Sequence, residues 1–137
     1  MPQSSRFSIA AAVTAAALTA SLSFPAQAQS YFADNVGFFE TVVVGDIEVT
    51  PVSLIRDRRC ADIRFCYREN RFIVTMVLHG YRGLSEVTLE LDRPVRVPGG
   101  YLALRDTGTR PKRRGAIPLE DYALDLEFYP LAATERR

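Results

Sequence analysis

From Phe38 onward the chain is dominated by a two-residue alternation of apolar and polar positions. Phe38-Phe39-Glu40-Thr41-Val42-Val43-Val44 is rich in aromatic and β-branched residues, which suit a pleated, half-buried surface, and Gly45-Asp46 offers a turn behind it. Ile47-Glu48-Val49-Thr50 alternates cleanly. Pro51 has no N–H to give to a ladder, so this strand must lie at an edge or bulge there, and the apolar parity changes beyond it at Val52, Leu54 and Ile55. Phe72-Ile73-Val74-Thr75-Met76-Val77-Leu78 is apolar at both parities and predicts a central strand covered on both faces. His79 to Gly83 reads as a glycine-marked loop, and Glu86 to Asp92 alternates strictly. Val97-Pro98-Gly99-Gly100 reads as a turn leading into a strand over Tyr101-Leu102-Ala103-Leu104. After an irregular stretch from Asp106 to Pro118, Tyr122, Leu124, Leu126 and Phe128 share one face, with Asp121, Asp125 and Glu127 on the other.

No ten-residue stretch in this part of the chain has a helical period. Six to seven short strands within about 100 residues predict an all-β fold, an antiparallel β-sandwich of immunoglobulin-like size or a small barrel. The domain is placed at residues 38–130, behind a flexible N-terminal arm at 29–37 and ahead of a C-terminal tail at 131–137.

Residues 1–28 follow a different rule. Arg6 is the only charge before an apolar and small-residue run from Phe7 to Phe24, Pro25 breaks that run, and Ala26-Gln27-Ala28 carries small residues where a signal peptidase reads. This is the pattern of a secretory signal peptide cleaved after Ala28, and it places the protein in the periplasm or outside the cell. The run is mostly Ala, Thr and Ser, which insert weakly into a bilayer, so a retained anchor is the less favoured reading, and no stable membrane span is expected after cleavage.

Only Arg6 of the 17 basic residues lies in the leader and all 16 acidic residues follow it, so the mature chain is formally neutral. That argues against nucleic-acid binding by a bulk positive field. Two cysteines and one histidine are too few for an ordinary zinc cage, and neither a metal nor a cofactor is expected. An even cysteine count in an oxidising compartment, with five residues between Cys60 and Cys66, predicts a disulfide closing a short loop. Such a bridge contributes about 2–2.5 kcal/mol in the chain-entropy treatment.

Asp57-Arg58-Arg59-Cys60, followed after five residues by Cys66, resembles an Asp-x-Arg-Cys-x5-Cys motif in an uncharacterised family of small secreted bacterial all-β proteins. The similarity runs over about residues 45 to 129, through Gly99-Gly100-Tyr101 and Ile117-Pro118-Leu119-Glu120-Asp121-Tyr122. This chain departs from the pattern in having Ala61 where the family has proline, and Tyr67-Arg68-Glu69-Asn70 in place of a Trp-containing turn. The resemblance implies the disulfide and the β fold, and no activity.

Catalytic chemistry has little to work with. His79 stands alone where a strand ends, no Gly-x-Ser-x-Gly motif is present, and both cysteines are expected to be bridged. Most carboxylates fall on the polar parity of strands, as solvated faces, although a carboxylate-based hydrolase is kept as an alternative. The basic residues are more informative. Arg56, Arg58, Arg59, Arg64, Arg68 and Arg71 crowd the cysteine loop, and Arg110, Lys112, Arg113 and Arg114 crowd the late loop. Arginine suits bidentate recognition of carboxylate or phosphate. Both loops would emerge at one end if the strands that follow them lie side by side and run the same way. The expectation is a non-enzymatic, disulfide-clamped β-sandwich presenting loops to an envelope protein or acidic ligand. Arg58, Arg59, Arg64, Arg110, Lys112, Arg113 and Arg114 would be its contact residues. The alternative ligand is an anionic envelope polymer or lipid headgroup.

Overall fold

The alternating segments pair as eight strands: β1 (Tyr31–Val36), β2 (Val42–Val44), β3 (Ile47–Asp57), β4 (Phe72–Gly80), β5 (Gly83–Glu90), β6 (Val95–Val97), β7 (Gly100–Asp106) and β8 (Leu124–Pro130). They form two four-stranded sheets, in the orders β1-β8-β7-β6 and β2-β3-β4-β5, with every neighbouring pair antiparallel. This computed structural model describes residues 29–67, 69–112 and 114–132. The expected leader, Arg68, Arg113 and the end of the tail lie outside the described residues.

Most strands turn an apolar parity inward, and the two inner faces interdigitate as a sandwich core. Val49, Val74, Met76 and Leu89 from one sheet meet Leu102, Leu104, Leu124, Leu126 and Phe128 from the other, all fully buried. One corner is stitched across the layers, where Leu91 bridges Leu104 and the Asp92 N–H donates to the Leu104 carbonyl at 2.9 Å.

Pro51 sits at a bulge and on a locally open edge: the β3–β4 register shifts between Pro51 and Ser53, and again between Leu54 and Arg56. β2 pairs only with Ile47 to Val49, so beyond that point β3 has no strand on its β2 side, and the Pro51 carbonyl accepts from the Phe39 N–H at 2.7 Å. The bulges account for the parity change at Leu54, which packs against the core, whereas Ile55 stays exposed.

Three expectations need correction. Residues 31–36 are not a flexible arm but β1, an edge strand paired to β8 from Tyr31 opposite Phe128 to Val36 opposite Leu124. Its alternation is invisible because an edge strand buries little side chain and its register breaks at Asn35, whose φ is +57°. The domain therefore begins at β1 and has eight strands. β4 is central but is not covered on both faces: one face enters the core, while Thr75, Val77 and His79 on the other are half-exposed. The glycine-marked loop after it is a tight turn, with Gly80 already opposite Gly83 in the β4–β5 ladder.

Candidate functional site

Two long connections meet at one end of the sandwich. The disulfide loop runs from the end of β3 to the start of β4, and the late loop from the end of β7 to the start of β8. β4 and β8 do not lie side by side, the condition under which both loops were expected at one end. They belong to opposite sheets, and the loops meet across the sandwich instead.

Local hydrogen bonds build each loop. The Arg58 N–H donates to the Arg71 carbonyl at 2.8 Å and the Cys60 N–H to Asn70 Oδ1 at 3.0 Å, closing the base of the disulfide loop. Cys60 and Cys66 are bridged, with Cα atoms 5.6 Å apart. Between them Asp62 caps a single 3-10 turn, Ile63–Phe65, by accepting from the Arg64 N–H at 3.0 Å. Asp106 opens the late loop by accepting from the N–H groups of Thr107 and Gly108, and the Ala123 N–H closes it onto the Thr107 carbonyl at 3.0 Å.

Arg59 joins the two loops from inside. Nε and Nη2 donate to the two oxygens of Asp57 at 2.8 and 2.9 Å. Nη1 donates to Thr107 Oγ1 at 2.5 Å and the Thr109 carbonyl at 2.7 Å, and Nη2 also reaches Thr109 Oγ1 at 3.0 Å. All five guanidinium N–H groups are thus engaged within the protein. The guanidinium stacks over the Phe72 ring at 5.0 Å, and Arg59 is only 9% exposed. The Tyr122 hydroxyl donates to Asp57 Oδ2 at 2.7 Å, and its ring lies buried against Phe38 and Phe72. Burial pushes the Asp57 carboxyl upward, but the bonds from Arg59 and Tyr122 outweigh it and hold its pKa below the ordinary value. Burial and the Asp57 charge both push the Tyr122 hydroxyl up, so it stays protonated as a donor. Arg59, expected as a partner contact, is therefore part of the scaffold. Nothing local in the sequence announces this, because its threonine partners lie some fifty residues away.

Beside this network lies an open cleft of about 360 Å³. Asp57, Arg59 and Tyr122 line it together with Leu54, Ile55 and Arg56 on one side and Pro111, Lys112, Arg114 and Ile117 on the other. A smaller cleft of about 260 Å³ shares Arg59 and Pro111 and adds Cys60, Asn70, Glu90 and Asp92.

The cations divide into two groups. Arg56 pairs with Glu69 at 3.0 Å, Arg64 with Asp62 at 3.1 Å and Arg71 with Glu90 at 2.8 Å. Arg58, Arg110, Lys112 and Arg114 are exposed and form no ion pair among the described residues. Arg113 lies outside the described residues. Among the described residues the larger cleft has one carboxylate on its lining, Asp57, and both of its oxygens already accept bonds. His79 is at the start-of-β3 end of its sheet, away from both loops, where Nε2 and Thr50 Oγ1 are 2.9 Å apart.

One feature of the disulfide loop escaped the sequence reading: Ile63, Phe65 and Tyr67 are 68, 66 and 94% exposed. The signal was available, in three large apolar residues at every second position, two inside the Cys60–Cys66 loop and the third just after it.

Among the described residues no His, Cys, Asp and Glu side chains cluster as metal ligands, and no helix is long and apolar enough to cross a membrane. No family model, curated protein or solved structure matches the chain. An all-β sandwich with a Cys60–Cys66 disulfide is the frame on which any functional reading must stand.

Proposed function

We propose that this protein is a non-enzymatic periplasmic or secreted binding domain that takes an anionic ligand or acidic partner at its loop end. The observation that carries this reading is the set of uncommitted cations. Lys112 and Arg114 stand on the wall of a cleft whose one carboxylate is already neutralised by Arg59, and Arg58 and Arg110 project from the same two loops. Exposed arginines with no ion pair among the described residues keep their planar donor forks for carboxylate or phosphate. A rigid sandwich with charged loops at one end suits binding, since the scaffold holds the loops without their having to contribute to the core. The disulfide supports an oxidising compartment, as do the leader pattern and the resemblance of the Asp57–Cys66 motif to small secreted bacterial proteins.

The test is binding of fluorescent inorganic polyphosphate, measured by anisotropy at rising salt. Binding should weaken steeply as salt screens the cleft, and Lys112→Glu/Arg114→Glu should reduce affinity by about tenfold or more. Equal binding by variant and wild type would remove the cleft from the reading. N-terminal sequencing of protein recovered from the envelope should begin at Gln29.

A further inference from the structure

We propose that the tip of the disulfide loop inserts into the interface of an anionic lipid bilayer, with the uncommitted cations of the two loops on its headgroups. This rests on the reading of the loop end as the binding end, and names its partner.

Charge alone would be satisfied by any polyanion; the apolar tip narrows the choice. Ile63, Phe65 and Tyr67 are exposed midway along the fourteen-residue connection between β3 and β4 and line neither cleft. Rings left in water gain nothing from a soluble polyanion, but they gain from hydrocarbon. Tyrosine is the side chain suited to the boundary, with an apolar ring and a polar tip. Arg64, paired to Asp62 and lying 5.9 Å over the Phe65 ring, stands between the apolar residues as an interfacial cation.

The size of the feature also favours a bilayer. A standard protein interface needs roughly 800 Å² from each partner, with a central pocket for its anchors. A finger with three exposed side chains supplies much less, whereas a bilayer takes such a finger without a complementary pocket. The disulfide, the Asp62 cap and the bonds at the loop base fix the tip before it docks, so little conformational freedom is lost on insertion. Cations near an anionic surface then add to apolar insertion, each strengthening binding by roughly fivefold. The carboxylates nearest the tip are already committed, Asp62 to Arg64 and Glu69 to Arg56. Asp106 caps its own loop, and Glu120 lies beside Phe38 and Phe39 rather than on the tip.

The chain contains no tryptophan, so Phe65→Trp introduces a single indole reporter at the tip. With vesicles of phosphatidylcholine containing about one-third phosphatidylglycerol, its emission should shift to the blue and be quenched by brominated acyl chains. Phosphatidylcholine vesicles alone should give at least tenfold weaker binding. In co-sedimentation, Phe65→Ser/Tyr67→Ser should lose vesicle binding by about tenfold or more while keeping wild-type affinity for polyphosphate. Retained vesicle binding by that variant would overturn the insertion, as would an indole that stays in water on anionic vesicles. Failure on vesicles with polyphosphate binding intact rejects the lipid alone, and failure with both rejects the binding end itself.

Discussion

The Arg59 guanidinium holds the Asp57 carboxylate, two residues earlier in the chain, by two parallel hydrogen bonds at 2.8 and 2.9 Å. Because Asp57 ends β3 in one sheet, and Arg59 also bonds Thr107 and Thr109 just beyond β7 in the other, this local pair fastens the two layers at the loop end. Two neighbouring residues thereby set the geometry of a cleft that neither residue's charge is free to serve.

Arg59→Ala should destabilise the protein by about 3 kcal/mol, because it leaves Asp57 only 15% exposed and without its counter-charge. Arg59→Lys should recover little, since one ammonium cannot reproduce five donors in a planar fork. Urea unfolding of both variants measures this. An alanine variant within about 0.5 kcal/mol of wild type would mean that the guanidinium does not fasten the layers.

Much of the fold was legible because burial imposes a two-residue period. Leu124, Leu126 and Phe128 on β8 show it, and so do Val49 on β3 and Leu89 on β5. β1 was missed for the converse reason: as an edge strand with a break at Asn35 it carries little burial and no steady parity. At the loop end, composition revealed two arginine-rich loops and spacing revealed the disulfide. What composition could not do was sort the arginines. Arg59 and Arg58 are adjacent and chemically identical, yet one is saturated by Asp57, Thr107 and Thr109 and the other is exposed without an ion pair among the described residues. That distinction depends on contacts between sheets, which local sequence does not carry.

Gly100→Ala should be strongly destabilising, by more than about 2 kcal/mol. Gly100 sits on β7 opposite Pro130, and a Cβ there would fall 2.0 Å from the Tyr129 carbonyl oxygen and 3.0 Å from the Phe128 ring. The nearest obstacle is backbone, so the ladder itself would have to move. A melting temperature unchanged from wild type would show that β7 and β8 do not approach this closely.

Removing the bridge by Cys60→Ser/Cys66→Ser should cost about 2 kcal/mol, the loop-closure contribution of so short a ring. The sandwich should persist, since neither cysteine belongs to the core. Circular dichroism should retain its β signature at 25 °C while the urea midpoint falls. Titration of denatured, unreduced wild-type protein should find no free thiol; two thiols per chain would contradict the bridge.

Asp57 should also make stability depend on pH in a defined direction. Its carboxyl is pushed up by burial but lowered further by Arg59 and Tyr122, so its pKa in the folded protein lies below its ordinary value of 3.8. Between the folded value and 3.8 the unfolded chain binds more protons than the folded one, so stability rises with pH there. The contribution is fully present above the unfolded value and is lost as pH falls through the folded one. Asp62, Glu90 and Glu127 are lowered in the same sense, each bonded to an arginine, so wild-type acid denaturation reports all of them together. Asp57→Asn isolates one. At pH 7 it should be destabilised by about 3 kcal/mol, because Arg59 loses its counter-charge while remaining buried. At pH 2.5, below the ordinary value of 3.8, the unfolded wild-type chain takes up the proton that the folded carboxyl resists, so the gap between the two proteins should narrow. Urea unfolding of both at pH 7, 4 and 2.5 gives the difference free of the other carboxylates. A gap that stays constant across that range would show that the Asp57 charge is not what Arg59 and Tyr122 hold in place.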